Sequence, residues 1–200
     1  MATAQPAVLA DVWTDRAEGL RAAARQAVLV VGGAAFVGLA AQVAIPLPFT
    51  PVPLTLQTFA VLLAGAALGS MRGVISMTLY AAAGVAGVPW FAEGSSGFTM
   101  PSFGYILGFI VAAGIVGRIA ERGATLTVWR TAGLMVVGNL VIYAVGVTWL
   151  KFAIDATWAT ALELGVAPFL IGDAVKIALA AGLLPLTWAG LRKAGLLDRG

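Results

Sequence analysis

Two gaps between charges govern what this chain can fold into. No Asp, Glu, Lys or Arg lies between Arg25 and Arg72, and between Arg72 and Arg118 there is only Glu93. Stretches of that length cannot be single helices of a soluble core. Each is long enough for two membrane crossings, since one crossing takes about 20 apolar residues. The composition agrees: 10% of residues are charged and 60% hydrophobic, against roughly 25% charged in soluble domains. Mean hydropathy is +0.97.

Proline, glycine and charge divide the sequence into six expected spans: 27–45, 54–70, 73–88, 102–117, 131–150 and 167–191. The fold class read from this is an all-α integral membrane protein with six transmembrane helices. Residues 1–25 form an N-terminal arm, 26–193 the membrane domain and 194–200 a tail. Of 12 Lys and Arg residues, ten fall in the two termini and the loops after the second and fourth spans. Lys151 alone lies on the opposite side, and Lys176 falls within a span. By the positive-inside rule, both termini are cytoplasmic and the chain is a multi-pass protein of a bacterial-type cell membrane. The arm carries Asp11, Asp15 and Glu18 and no short apolar core, so it does not read as a cleavable signal. It reads as a mobile tail; the alternative is an amphipathic helix with Val8, Leu9, Val12 and Trp13 toward lipid.

Several chemistries are excluded by what is missing. The chain has no Cys and no His, which removes disulfides, the usual zinc ligands and the His general base. Gly94-Ser95-Ser96-Gly97 imitates the nucleophile motif of an intramembrane serine protease, but no His is available to take the serine proton. There is no GxxxxGK[ST] phosphate loop, so this chain does not hydrolyse ATP by that machinery. The twelve basic residues form no stripe with interleaved aromatics, which argues against nucleic acid. The chain is read as no enzyme, with no metal and no cofactor of its own.

What remains is a small set of polar groups at membrane depth. A charge there costs about 2.5–3.5 kcal/mol on insertion scales and marks a functional site by default. Asp173 and Lys176 lie three apart on one face of the last span. They read as a polar clamp, with the carboxylate taking N–H groups and the ammonium an oxygen of a solute. Mutual neutralisation inside the bundle is the other possibility. Asn139 and Tyr143 share a face of the fifth span, where Asn139 either meets a ligand or bridges helices. Tyr80, Tyr105 and Phe91 add aromatic surface for a small-molecule pocket. Trp90 reads instead as part of an interfacial belt.

Three segments on the side opposite the termini form expected lids. Residues 46–53 hold four prolines, which makes them stiff and extended. The others are the loop 88–101 and a possible interfacial helix in 152–165, with Ile154, Trp158 and Leu162 on one face. Small residues recur four apart at Ala34/Gly38, Ala40/Ala44, Gly65/Gly69 and Gly104/Gly108/Ala112. Most such faces pack helices within the bundle. The first span has two, so one of them could receive a partner membrane protein.

The run Pro48-Phe49-Thr50-Pro51-Val52-Pro53-Leu54-Thr55-Leu56-Gln57-Thr58 resembles the signature of the BioY family, the biotin-specific S components of energy-coupling factor (ECF) transporters. The similarity continues through 64–69, Arg72-Gly73, Tyr80, Gly84, Phe91, Gly94, 101–109 and the Asp173/Lys176 pair. The resemblance implies an S-component-like bundle that captures biotin from outside, with Asp173 and Lys176 on the ligand. It extends the site to Asn139, Tyr80, Gln57 and the loops holding Phe91 and Gly94. It further implies a transmembrane coupling protein and two ATPase subunits as partners, the coupling protein docking around Ala34, Gly38, Ala40 and Ala44. An S component for another vitamin, or a solitary ion-coupled biotin transporter, are the alternatives.

Overall fold

The computed structural model describes residues 7–14 and 18–197. Six long helices answer to the six expected spans: α2 (Gly19–Ala41), α3 (Gln57–Leu68), α4 (Ser70–Val85), α5 (Phe103–Ala120), α6 (Val128–Ala153) and α8 (Leu170–Lys193). A single turn, α1 (Asp11–Thr14), precedes them, and an eight-residue helix, α7 (Trp158–Gly165), lies between α6 and α8. By length and composition α2, α5, α6 and the region Trp158–Lys193 can each cross a membrane. The α3 helix has only 12 residues, about 18 Å at the α-helical rise. Its chain is carried on toward the loop end by a two-residue strand, β2 (Leu54–Thr55), paired antiparallel with β1 (Ala44–Ile45).

That pairing corrects the expectation for residues 46–53. Instead of running out straight, the proline segment folds over as the arm of a hairpin, with Ala44 opposite Thr55 and Ile45 opposite Leu54. Proline removes N–H donors within the arm, so the ladder forms only at its base. The Thr50 hydroxyl then donates to Leu164 O at 2.8 Å, fastening the arm to α7. The expected helical face of 152–165 is also divided. Trp158 and Leu162 are exposed on α7, whereas Ile154 is the C-terminal cap of α6 and packs against the core.

α5 occupies the middle, packed on α3, α4 and α6. Small residues allow this. A Cβ on Gly104 would stand 2.0 Å from Trp149 Cβ of α6, and one on Gly65 would stand 3.0 Å from Ala113 Cα of α5. The tightest approach to backbone is at Gly117, where a Cβ would meet Ser70 N at 2.4 Å. Gly69, the single residue between α3 and α4, has φ 85°, a conformation open to glycine and strained for other residues. Glu121 Oε1 accepts from Ser70 N at 2.8 Å and satisfies the first turn of α4.

Two further expectations fail. The arm is not a tail in the residues described: Val8 and Ala10 are buried, and Ala10 N donates to Ala67 O at 2.9 Å. Asp11 forms a 2.8 Å ion pair with Arg72, whose guanidinium also donates to Gln26, Leu68 O and Thr14. The segment thus covers the α3–α4 junction, and Val8 faces protein rather than lipid. Gly19–Ala41 also starts the first long helix well inside the expected arm. The second failure is the docking face. Ala34 and Gly38 are buried inside the chain, with Gly38 against the Trp90 ring; Ala40 is half-buried and Ala44 lies in β1. The open face of α2 carries Val28, Val31, Phe36 and Leu39 instead.

Gly117→Ala is expected to lower thermal stability in detergent by about 1–3 kcal/mol, because the obstructing atoms are backbone and cannot rotate away. Gly190→Ala, where nothing lies within 4 Å, is expected to leave stability unchanged or raise it slightly. Equal unfolding temperatures for the two variants would contradict this packing.

Candidate binding site

The site is assembled where the first turns of α3 and α8 meet the middle of α6. Pro168, in the 3₁₀ turn Ala167–Phe169, breaks the chain before α8 and fixes where that helix begins. Asp173 consequently falls in the first turn of α8, where the partial positive charge of the helix end favours a carboxylate. Lys176 lies one turn on. Both are buried, at 4% and 8% relative exposure.

Lys176 Nζ donates to Asp173 Oδ1 at 2.8 Å and to Thr58 Oγ1 at 2.9 Å. Thr58 Oγ1 in turn lies 3.5 Å from Asp173 Oδ1, closing a three-membered ring of contacts. The Tyr143 hydroxyl donates to Asp173 Oδ2. These bonds leave capacity unused. An ammonium has three donors and a carboxylate about four acceptor sites. One proton on Lys176 and a lone pair on Asp173 Oδ2 remain for a further molecule. A solute presenting an N–H beside a carbonyl oxygen would satisfy both.

Above this cluster lies a cavity toward the loop end of the bundle. Asp173, Lys176, Tyr143, Tyr105, Gln57 and Phe91 line it as the sequence suggests. The rest of the lining is mostly apolar, including Ile106, Phe109, Met100 and Phe169. Its roof comes from Val52 to Thr55 of the hairpin arm, Phe91 and Ala92 of the loop after α4, and Phe169 before α8, while no residue of the expected third lid, 152–165, lines it.

Other expected site residues do not line this cavity. Tyr80 is fully buried and does not line the cavity. It accepts from Gln57 Nε2 at 2.7 Å, and its hydroxyl donates to Trp90 O at 3.3 Å. The Tyr80 ring lies 5.1 Å from Trp90 and 5.2 Å from Phe91, so it anchors the roof loop. Trp90 closes the exchange by donating Nε1 to Tyr80 O at 3.0 Å, which makes it a clamp between α4 and α2 rather than a belt residue. Gly94 belongs to the 3₁₀ turn Ala92–Gly94 and is outside the lining. Asn139 lines a separate small cavity with Lys176, Thr58 and Met135, and its Oδ1 has no partner. Tyr105 contributes its ring, while its hydroxyl is held by Gly165 O at 2.7 Å.

The residue that sequence reasoning missed is Thr58. It adjoins Gln57 in the signature run, but Thr is common in helices, and only its proximity to α8 reveals it as the bridge between Lys176 and Asp173. Next to Ser96, the serine of the protease-like motif, Ser95 Oγ donates to Ala92 O at 2.6 Å and holds the roof turn.

Comparison with known proteins places this arrangement. The family model described as BioY family matches residues 13–193. The biotin transporter BioY of Rhodobacter capsulatus is 38% identical over 187 residues, covering 82% of this chain and 96% of that protein. The biotin transporter BioY of Thermotoga maritima is 34% identical over 140 residues, covering 68% and 81%. Among solved structures, the 2.1 Å crystal structure of the S-component for biotin from an ECF-type ABC transporter matches with TM-score 0.77 and 25% identity. That match covers 91% of this chain and 98% of the other.

Thr58→Val is expected to lower stability by about 1–3 kcal/mol, since it leaves a buried ammonium short of an acceptor. Thr58→Ser is expected to restore most of it. Thermal unfolding in detergent checks both, and an unchanged Thr58→Val transition would remove Thr58 from the cluster.

Proposed function

This chain belongs to the BioY family, and we propose from that membership and the cavity together that it is the membrane subunit that captures biotin for uptake. The observation carrying the reading is the Asp173–Lys176–Thr58–Tyr143 cluster at the floor of a roofed, apolar cavity. Biotin presents a ureido ring with N–H donors beside a carbonyl oxygen, an apolar bicycle and a carboxylate tail. The ureido ring matches the unused acceptor of Asp173 and the unused donor of Lys176. The bicycle matches the apolar walls, where Phe91, Tyr105 and Phe109 supply aromatic surface. A neutral ureido group also leaves the Asp–Lys pair balanced, so the ring adds no charge at the cluster itself.

The residues assigned to the ligand are Asp173, Lys176, Tyr143, Gln57, Phe91 and Tyr105. Tyr80 positions the roof over them, and Gly94 shapes the turn that carries it. Asn139 acts behind Lys176. Release of biotin requires the hairpin arm to lift, which costs the Thr50 contact with α7. The chain holds no phosphate loop of its own. Energy for that opening is supplied in this reading by partner ATPase subunits through a coupling protein in the same membrane, the chain itself being no enzyme and needing no cofactor. The arginine-rich end, with both termini, faces the cytoplasm, and the roofed cavity faces outward.

Purified chain in detergent is expected to bind biotin at one site, displaced by neither thiamine nor riboflavin. Asp173→Asn and Lys176→Ala are each expected to weaken binding by about 10²–10³-fold, because each leaves a buried charge without its partner. Tyr143→Phe is expected to weaken it by about five- to tenfold. Equilibrium binding decides. Unaltered affinity in the first two variants would sink the site, and absence of biotin binding in the unmodified chain would sink the function. Uptake by vesicles holding the chain alone, abolished by a protonophore, would instead support solitary ion-coupled transport.

A further inference from the structure

A second concavity opens on the lipid-facing side of α5 and α6, at the end of the bundle that holds the roof loops. Its walls are Leu107, Ala144, Val145, Trp149, Phe152 and Ala153. The one hydroxyl on the wall, Thr148, donates to Ala144 O at 2.7 Å and is satisfied. Nothing in the groove therefore asks for a polar occupant.

The rim is different. Lys151 holds its ammonium 4.5 Å from the centroid of Phe152, itself a groove residue, and 5.5 Å from that of Trp158 on α7. It pairs with no carboxylate among the described residues. It lies in the last turn of α6 and, apart from the buried Lys176, is the only basic residue at that end of the bundle. Aromatic rings hold a cation in place without neutralising it. Aromatic and basic residues flanking an apolar surface match the level where acyl chains give way to headgroups.

We propose that this groove holds one anionic phospholipid, with an acyl chain along α5 and α6 and its phosphate on Lys151. A second copy of the chain is the weaker occupant. A two-fold interface through this groove would bring two unpaired Lys151 side chains together at its rim. The groove also adjoins the ligand cavity. Trp149 forms its floor, donates Nε1 to Met100 O at 3.3 Å and packs 5.5 Å from Phe103, and Met100 lines the first cavity.

The test is native mass spectrometry of delipidated, detergent-purified chain given equal amounts of phosphatidylglycerol and phosphatidylcholine with identical acyl chains. One retained phosphatidylglycerol is expected, favoured over phosphatidylcholine by about fivefold, the ratio that a single basic residue at an anionic headgroup supplies. Lys151→Gln is expected to abolish the preference and Lys151→Arg to keep it. Ala144→Trp, which fills the groove, is expected to lose both adducts; if it does not purify as a single species, the Lys151 pair decides alone. No adduct of fixed stoichiometry, equal retention of both lipids, an unchanged preference in Lys151→Gln, or a dimer mass in place of a lipid adduct would each overturn the proposal.

Discussion

The ion pair between Asp173 and Lys176 is the constraint around which the rest of the bundle is arranged. Two charges in a medium with no water to solvate them are tolerated only when each is paired and hydrogen-bonded. The pair lies on one helix, three residues apart, so its formation needs no docking event. What docking supplies is the remainder: Thr58 from α3 and Tyr143 from α6. These two contacts draw three helices to one point. They still leave one donor and one acceptor facing the cavity. The cluster is thus stable as it stands and incompletely satisfied, which is what a reversible binding site requires.

Close approach of helices makes that convergence possible. In lipid, apolar side chains gain little by meeting one another, and association rests on packing and polar contacts. Glycines on α5 let α6 and the α3–α4 junction come within backbone contact. The same junction is closed from beneath by the segment around Val8 and Asp11, with Arg72 as its centre. The end opposite the cavity is therefore tied by charge and hydrogen bonds. At the cavity end, by contrast, the hairpin arm is held to α7 by the single Thr50 hydroxyl and otherwise by apolar contact. Of the roof segments, the hairpin arm is tied more lightly than the loop at Phe91, which Tyr80 and Trp90 anchor.

Much of this was legible in the residues. Uncharged runs bounded by arginine gave six helices, and scarcity of charge singled out Asp173 and Lys176. The proline-rich signature pointed to the family that the comparisons show. Other features were legible only in part. Small residues at spacing four marked close packing correctly on α3 and α5, but could not say what fills the face at Ala34 and Gly38. At Gly38 the occupant is Trp90, more than fifty residues away in the chain. Tyr80 was found as an important position but not as a support behind the wall, and Gly94 lies on an exposed turn.

Sequence by itself determined the solvent, the helices and the pair of charges. Each follows from local facts: hydropathy over a window, proline and glycine at helix ends, and two ionised groups one turn apart. Only the tertiary structure decided that Thr58 bridges the pair, that Asn139 lies in its own small cavity, and that the residues around Val8 fold back on the α3–α4 junction. It also decided that the proline segment becomes a hairpin over the cavity. These depend on which helix faces meet and at what depth. A periodic pattern gives the faces of each helix but carries no information on which neighbour will cover them.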